Sequence, residues 1–397
     1  MNGELDEVVD VARQLIGAPS ENPPGDERAV ADVAMRLLRE RGIHDLAAVA
    51  REPHRPNVVA TVVSPRPGPT VILSGHLDTK PVGDQEVWEH DPFAGAIADG
   101  RLYGLGACDM KAGVAAVIVA LGRISAAGGP GCGSVVGLLL ADEEAGSAYG
   151  ARFLAEAGEI RAHAAIIAEP AGVTREWERL YLGTRGALLF RVDLEGATGH
   201  SSLEDHLGGT SATLALARLV DRLDTAFHEL PDVAVNVAGT VEGGVYYGVR
   251  APTASFRGDV RIPPEVTLTD ARRVLDERVA AFLAEHPGVR ADVCIDELLD
   301  GGAEALWVAP DSPIAQACRA AATTKLDSPP PDGIYPAGTD SFFVQGIAGV
   351  PTIPALGPGR LQEAHQPNEF VSLESLEAAP TILAAAVENF LSTEGSG

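Results

Sequence analysis

Four short clusters between residues 70 and 169, and one distant histidine, carry the residue types of a metal-dependent hydrolytic site. They are Gly75-His76-Leu77-Asp78-Thr79, Ala107-Cys108-Asp109-Met110-Lys111, Asp142-Glu143-Glu144 and Glu169-Pro170, with His365 near the C-terminus. Imidazole and carboxylate are the ligands that zinc-class ions accept, and two such ions about 3.5 to 4 Å apart are joined by a shared carboxylate and by water or hydroxide. Two histidines and three carboxylates meet that count. The assignment puts His76, Asp109 and Glu169 on one ion and Asp109, Glu144 and His365 on the other. Glu143 is then left beside a ligand yet directed elsewhere, as the base for a bridging water. Asp78, two residues after His76, is placed to accept the other ring N–H of that histidine and fix its tautomer.

Each of these four clusters follows, directly or after a short loop, a segment that reads as a buried strand, the position at which α/β folds present their chemistry. Residues 57–63, 70–74, 134–140 and 164–168 are apolar and of strand length, and Asp99-Gly100 marks a hairpin over 96–103. Helices are expected over 5–17, 26–42 and 110–127, with Asp109 at the mouth of the last, where the helix N-terminus favours an ionised carboxylate. Between the first two lies a proline-rich loop, 19–25, in which Ser20 and Asn22 are read as turn residues ahead of the alternative that they face a substrate. Strands alternating with helices imply a mainly parallel sheet with helices on both faces. From 181 to 298 the pattern changes to strand 187–194, helix 208–227, strands 232–241 and 253–262, helix 269–286 and strand 289–295. That order, βαββαβ, is the ferredoxin-like unit. Three segments follow: 1–180 as the first part of a catalytic domain, 181–298 as an insert, and 299–397 as its second part. The last carries a helix after Ser312-Pro313, a strand over 349–355 and a closing helix over 373–391, with His365 in the loop before it.

Length and composition bound the function. The 397 residues hold 56 acidic and 30 basic side chains, a formal net charge of −26. Such a surface repels phosphate backbones, which excludes nucleic acid as a partner. No stretch of about 20 apolar residues and no basic-then-apolar opening occurs, so the expectation is a cytoplasmic protein without membrane contact. Cys108, Cys132, Cys294 and Cys318 form no CxxC pair, which fits reduced thiols.

The runs Ser74-Gly75-His76-Leu77-Asp78-Thr79-Lys80-Pro81-Val82-Gly83, Gly100-Arg101-Leu102-Tyr103-Gly104, Gly106-Ala107-Cys108-Asp109-Met110-Lys111 and Asp142-Glu143-Glu144 resemble the metallopeptidase family of acetylornithine deacetylase, succinyl-diaminopimelate desuccinylase, aminoacylase and carboxypeptidase G. The resemblance covers nearly the whole chain, in order. It implies two Zn2+, with Co2+ or Mn2+ as substitutes, on the ligands already assigned, and gives Glu143 the proton-shuttle role. It also implies a lid and dimerisation domain at the insert. There His200, in Gly199-His200-Ser201-Ser202, would reach across a homodimer interface to the substrate carbonyl. Arg261, oriented by Asp259, would bind the substrate's α-carboxylate, and Thr339 and Asp340 would line the substrate. The sequence departs from the family pattern at Leu105, at Gly248-Val249-Arg250-Ala251, at Ser211, and in a missing proline between Ser202 and Gly208. None of these removes a metal ligand; they bear on substrate identity and lid contacts. The implied reaction is removal of an acyl group from an N-acyl amino acid. A dipeptidase or carboxypeptidase would need the same metals and the same carboxylate grip. A catalytically silent ligand- or carrier-binding relative would lack a ligand or the base, and neither is lost.

Overall fold

The computed structural model describes residues 3–203, 206, 208–295 and 302–394. The chain divides into two compact units: Met1–Gly183 with Trp307–Tyr335 and Thr339–Gly397, and Thr184–Leu306 with Pro336–Gly338. The expected insert boundary at residue 298 lies outside the described residues. Each unit closes on its own apolar core.

The first unit is built on a six-stranded sheet in the order Leu46–Ala50, Pro56–Val63, Ser134–Leu140, Thr70–His76, Ala164–Ile167, Thr352–Ile353. The last four strands pair in parallel, and the first two join antiparallel at one edge. The sheet is therefore mixed with a mainly parallel body. Its parallel strands are apolar because they are buried: every residue of Ala164–Ile167 and all of Thr70–His76 after Thr70 is inaccessible. Helix Lys111–Ala126 packs between the sheet, helix Gly3–Ile16 and helix Leu373–Glu394. Thirteen of its residues are buried, as its small apolar composition requires. Its closest approach is at Gly113, where an added Cβ would stand 2.1 Å from the carbonyl oxygen of Ala168, so glycine there allows the helix to lie against the strand end that delivers Glu169.

The second unit carries a four-stranded antiparallel sheet in the order Ala234–Gly243, Thr253–Ile262, Gly186–Glu195, Arg290–Ile295, with helices Ala212–Ala226 and Leu268–Glu285. Numbered by chain position the strands run 2-3-1-4, the order of the βαββαβ unit. The first helix begins at Ala212, later than expected, because Gly208 and Gly209 take positive φ values of 55° and 72° that a right-handed helix does not admit. In the first unit the expected strand over 349–355 is confined to Thr352–Ile353, between Pro351 and Pro354, which cannot donate to a ladder. Strand Leu46–Ala50 and helix Ala151–Glu156 were not expected. Among the described residues, no helix is long and apolar enough to cross a membrane.

Candidate metal centre

Parallel strands deliver the site. His76 is the last residue of its strand, and Leu77 continues the register by donating its N–H to Leu140 O at 2.7 Å, which brings the Asp142–Glu144 turn alongside. Ala168 donates to Ser74 O at 2.8 Å and so carries Glu169 to the same end of the sheet. Asp109 sits ahead of helix Lys111–Ala126. His365, in the loop before the closing helix, takes a left-handed φ of 60°, uncommon for a residue with a Cβ and held by its surroundings.

These side chains meet around one carboxylate. His76 Nε2 stands 3.0 Å from Asp109 Oδ1, and His365 Nε2 stands 3.1 Å from Asp109 Oδ2. On the His76 side Glu169 Oε1 is 3.6 Å from the same nitrogen; on the other, Glu144 Oε1 is 3.0 Å from His365 Nε2. The structure thus sorts five ligand candidates into two sets that share Asp109. Two atoms each about 2.1 Å from a tetrahedral ion lie about 3.4 Å from one another, and the observed separations of 3.0 to 3.6 Å bracket that value. The donor set therefore fits a pair of divalent ions of the zinc class.

Charge accumulates here. Burial, with the charges of Asp340, Glu169 and Glu144, pushes the Glu143 carboxyl well up, and His76 opposes it. Burial and Asp109 do the same to Glu169. Asp109 goes the other way: burial raises it, but hydrogen bonds from His365 and His76 together hold it below the usual carboxylate range. His365 is pushed up to about 10 by Asp109 and Glu144. Burial pulls His76 down, but Asp109, Glu169 and Glu143 together raise it well above an ordinary histidine.

Asp78 accepts the second ring N–H of His76, as its spacing suggests: His76 Nδ1 lies 3.0 Å from the Asp78 backbone carbonyl and 3.6 Å from its carboxylate, so the carbonyl is the acceptor that sets the tautomer. The Asp78 carboxylate instead accepts the backbone N–H groups of Glu143 and Glu144, both at 3.1 Å, and holds the turn that bears them. Asp340 is buried, accepts the Ser147 hydroxyl at 2.5 Å, and is pushed up to about 7 by burial. Thr339 is turned into its own loop, its hydroxyl 2.7 Å from Ser341 Oγ.

Sequence reasoning passed over Glu369. Buried at 2% exposure, its carboxylate accepts three backbone N–H groups, from Gly106 at 3.0 Å, Cys108 at 2.7 Å and Asp109 at 2.9 Å, and so fixes the loop that carries the shared ligand. The available signal was an acid heading the apolar run Phe370-Val371. Lys80 was also passed over; its ammonium lies 3.1 Å from Glu144 Oε2. Cys108 is buried, with its thiol on Arg360 O at 3.0 Å, as a packing residue would be.

In the second unit, Gly199–His200 pairs with Val249–Arg250. His200 Nδ1 accepts the Ser202 N–H at 3.2 Å, which places the ring proton on Nε2. Arg261 Nε donates to Asp259 Oδ2 at 2.9 Å. Arg250, one of the departures from the family pattern, is buried and gives its guanidinium to the carbonyls of Gly208 and Gly209 at 3.0 and 2.7 Å.

The profile described as peptidase family M20/M25/M40 matches residues 72–389. The chain is 29% identical over 410 residues to acetylornithine deacetylase of Proteus mirabilis, with 99% of each covered. It is 30% identical over 336 residues to succinyl-diaminopimelate desuccinylase of Alkalilimnicola ehrlichii, covering 82% of this chain and 84% of that one. Among solved structures, human carnosine dipeptidase 1 superposes with a TM-score of 0.75 at 17% identity, covering 98% of this chain and 96% of that one. The Bacillus subtilis YXEP protein, a dinuclear metal binding peptidase, superposes with a TM-score of 0.70 at 18% identity, covering 98% and 99%. At these identities the structures establish the fold.

The raised histidines make metal uptake pH-dependent with a definite sign. Each must lose a proton to offer its lone pair, so binding expels protons and affinity rises with pH through the region below about 10 where metal-free His365 holds its proton. Titration calorimetry of zinc into metal-stripped protein, in buffers of different ionisation enthalpy, should show net proton release and tighter binding at pH 8 than at pH 6. Equal affinity at both would contradict it.

Proposed function

Because the chain belongs to peptidase family M20/M25/M40, and so is a metal-dependent hydrolase of amide bonds, we propose that it removes the acyl group from an N-acyl amino acid. The observation that carries this reading is the sharing of Asp109 by two histidine–carboxylate sets. Similarity over the whole chain to an acetylornithine deacetylase supports the substrate class. Zinc is the proposed metal on both sets, since imidazole and carboxylate suit it, with cobalt or manganese as functional substitutes. Two such ions would polarise the scissile carbonyl and bring the pKa of a water molecule toward about 7.

The chain's own groups do the rest. Glu143, on the turn that the Asp78 carboxylate holds, takes the proton of the attacking water and passes it to the leaving nitrogen as the C–N bond breaks. His200 offers Nε2–H to the carbonyl oxygen as negative charge develops there. Arg261, steadied by Asp259, grips the free carboxylate of the substrate with its planar fork.

His200 serves the partner subunit of a homodimer in this reading. The support is the edge of the second unit's sheet: strand Ala234–Gly243 is an outer strand, and Val241, Val245, Tyr246 and Tyr247 beside it are 57 to 87% exposed. An unpaired apolar edge of this kind is a template for a second copy.

Two experiments test the proposal. Glu143→Ala should keep its zinc and lose about 10²- to 10⁴-fold in kcat on whichever of the N-acetyl amino acids, N-succinyl amino acids and dipeptides the wild type hydrolyses fastest. A near-normal rate would remove Glu143 from its role, and preference for dipeptides would replace deacylase by exopeptidase. Co-refolding Glu143→Ala with His200→Ala subunits should restore activity neither has alone, because one mixed site then holds both groups. No recovery would place His200 in its own subunit's site or outside the chemistry.

A further inference from the structure

A second set of buried polar groups, none of them a metal-ligand candidate, holds the Asp142–Glu144 turn. Asp142 begins the turn in the left-handed region, φ 68°, and its carboxylate is taken up by groups that are not metal-ligand candidates. It accepts Arg55 Nη2 at 2.6 Å and Asn22 Nδ2 at 3.0 Å on one oxygen, and the Tyr149 N–H at 3.1 Å on the other. Arg55 is itself clamped by Glu27 through two hydrogen bonds of 2.7 and 2.8 Å. Arg55, Glu27 and Asp142 are at most 5% exposed at their side chains.

Asn22 joins this set to the His76 strand. Its single amide nitrogen gives one proton to Asp142 and the other to Asp78 Oδ2 at 2.8 Å, the carboxylate that also accepts the backbone N–H groups of Glu143 and Glu144. An amide NH2 offers two protons from one neutral nitrogen, as bridging the two carboxylates requires; aspartate would bring a third negative charge and no donor. Asn22 is fixed in turn by its own N–H to Thr79 O at 2.8 Å, with Ser20 Oγ on Leu77 O at 2.7 Å beside it. The loop over 19–25 thus hydrogen-bonds to residues 77–79 and, through Asn22, to the turn bearing Glu143.

We propose that Asn22 and Arg55 are positioning residues for Glu143, locking the Asp142–Glu144 turn to the end of the His76 strand so that the shuttle carboxylate meets water and leaving nitrogen in line. This rests on the reading of Glu143 as the proton shuttle. The two residues act on Glu143 and not on substrate binding, and a carboxylate displaced by about 1 Å loses up to about 10²-fold in rate.

The test is a double-mutant cycle on the zinc-loaded 397-residue chain, with the fastest substrate among N-acetyl amino acids, N-succinyl amino acids and dipeptides. Asn22→Ala should lower kcat about 10- to 100-fold with KM and zinc content unchanged, while in a Glu143→Gln background the same change should cost nothing further. Arg55→Lys, which keeps the charge but loses the fork, should lower kcat less than Asn22→Ala, again without moving KM. Asn22→Ser serves the same cycle if the alanine variant does not fold. Equal losses from the Asn22 substitution in both backgrounds, a loss of zinc, or an unchanged kcat would each overturn the positioning role while leaving Glu143 in place. A Glu143→Gln enzyme with near-normal kcat would overturn the shuttle reading and the positioning role together.

Discussion

The structure depends on holding carboxylates together where they repel. Asp109, Glu144 and Glu169 converge within contact of two histidines, and Glu143 and Asp340 stand near enough to raise each other or their neighbours. An ionised group withdrawn from water costs several kcal/mol unless it is paired. Two devices hold the arrangement. His76 ends a strand, Glu169 follows one and Asp109 precedes a helix, where the sheet and its packed helix fix the backbone. Buried acids that are not ligands then collect backbone N–H groups: Glu369 takes three around Asp109, and Asp78 takes two under Glu143 and Glu144. What remains unbalanced is negative charge on the ligand candidates, which a pair of divalent cations would neutralise.

Much of this was legible in the sequence because it is local. A buried β-branched run announces a strand, and the residue that follows must emerge at the sheet's end; His76, Glu143, Glu144 and Glu169 were found on that basis. Glu369 and Arg55 were not, because the local signal is weak for the first, an acid ahead of Phe370-Val371, and their partners lie far off in sequence. Glu369 acts 260 residues away from Asp109 in sequence, and Arg55 acts 87 away from Asp142. Sequence spacing also places Asp78 beside the His76 ring, but which of its oxygens is nearer, the carbonyl, is legible only in the structure. The short edge strand Leu46–Ala50 was passed over because its alanines carry no period, and most of it is exposed.

The second unit shows how a departure from a family pattern changes meaning once its contacts are known. Arg250 looks in the sequence like an added charge, yet it is buried and spends hydrogen bonds on the carbonyls of Gly208 and Gly209. It thereby supports the loop near His200, whose tautomer is set by Ser202. The positive charge of Arg250 is thus engaged with the backbone of that unit.

The account stands on Asp109 as the carboxylate common to two ions. Crystals grown with zinc and measured at energies above and below the zinc absorption edge test this directly. The account predicts two anomalous peaks about 3.5 to 4 Å apart, one beside His76 and Glu169, the other beside His365 and Glu144, with one oxygen of Asp109 on each. A single peak, or two peaks that do not flank Asp109, would contradict it.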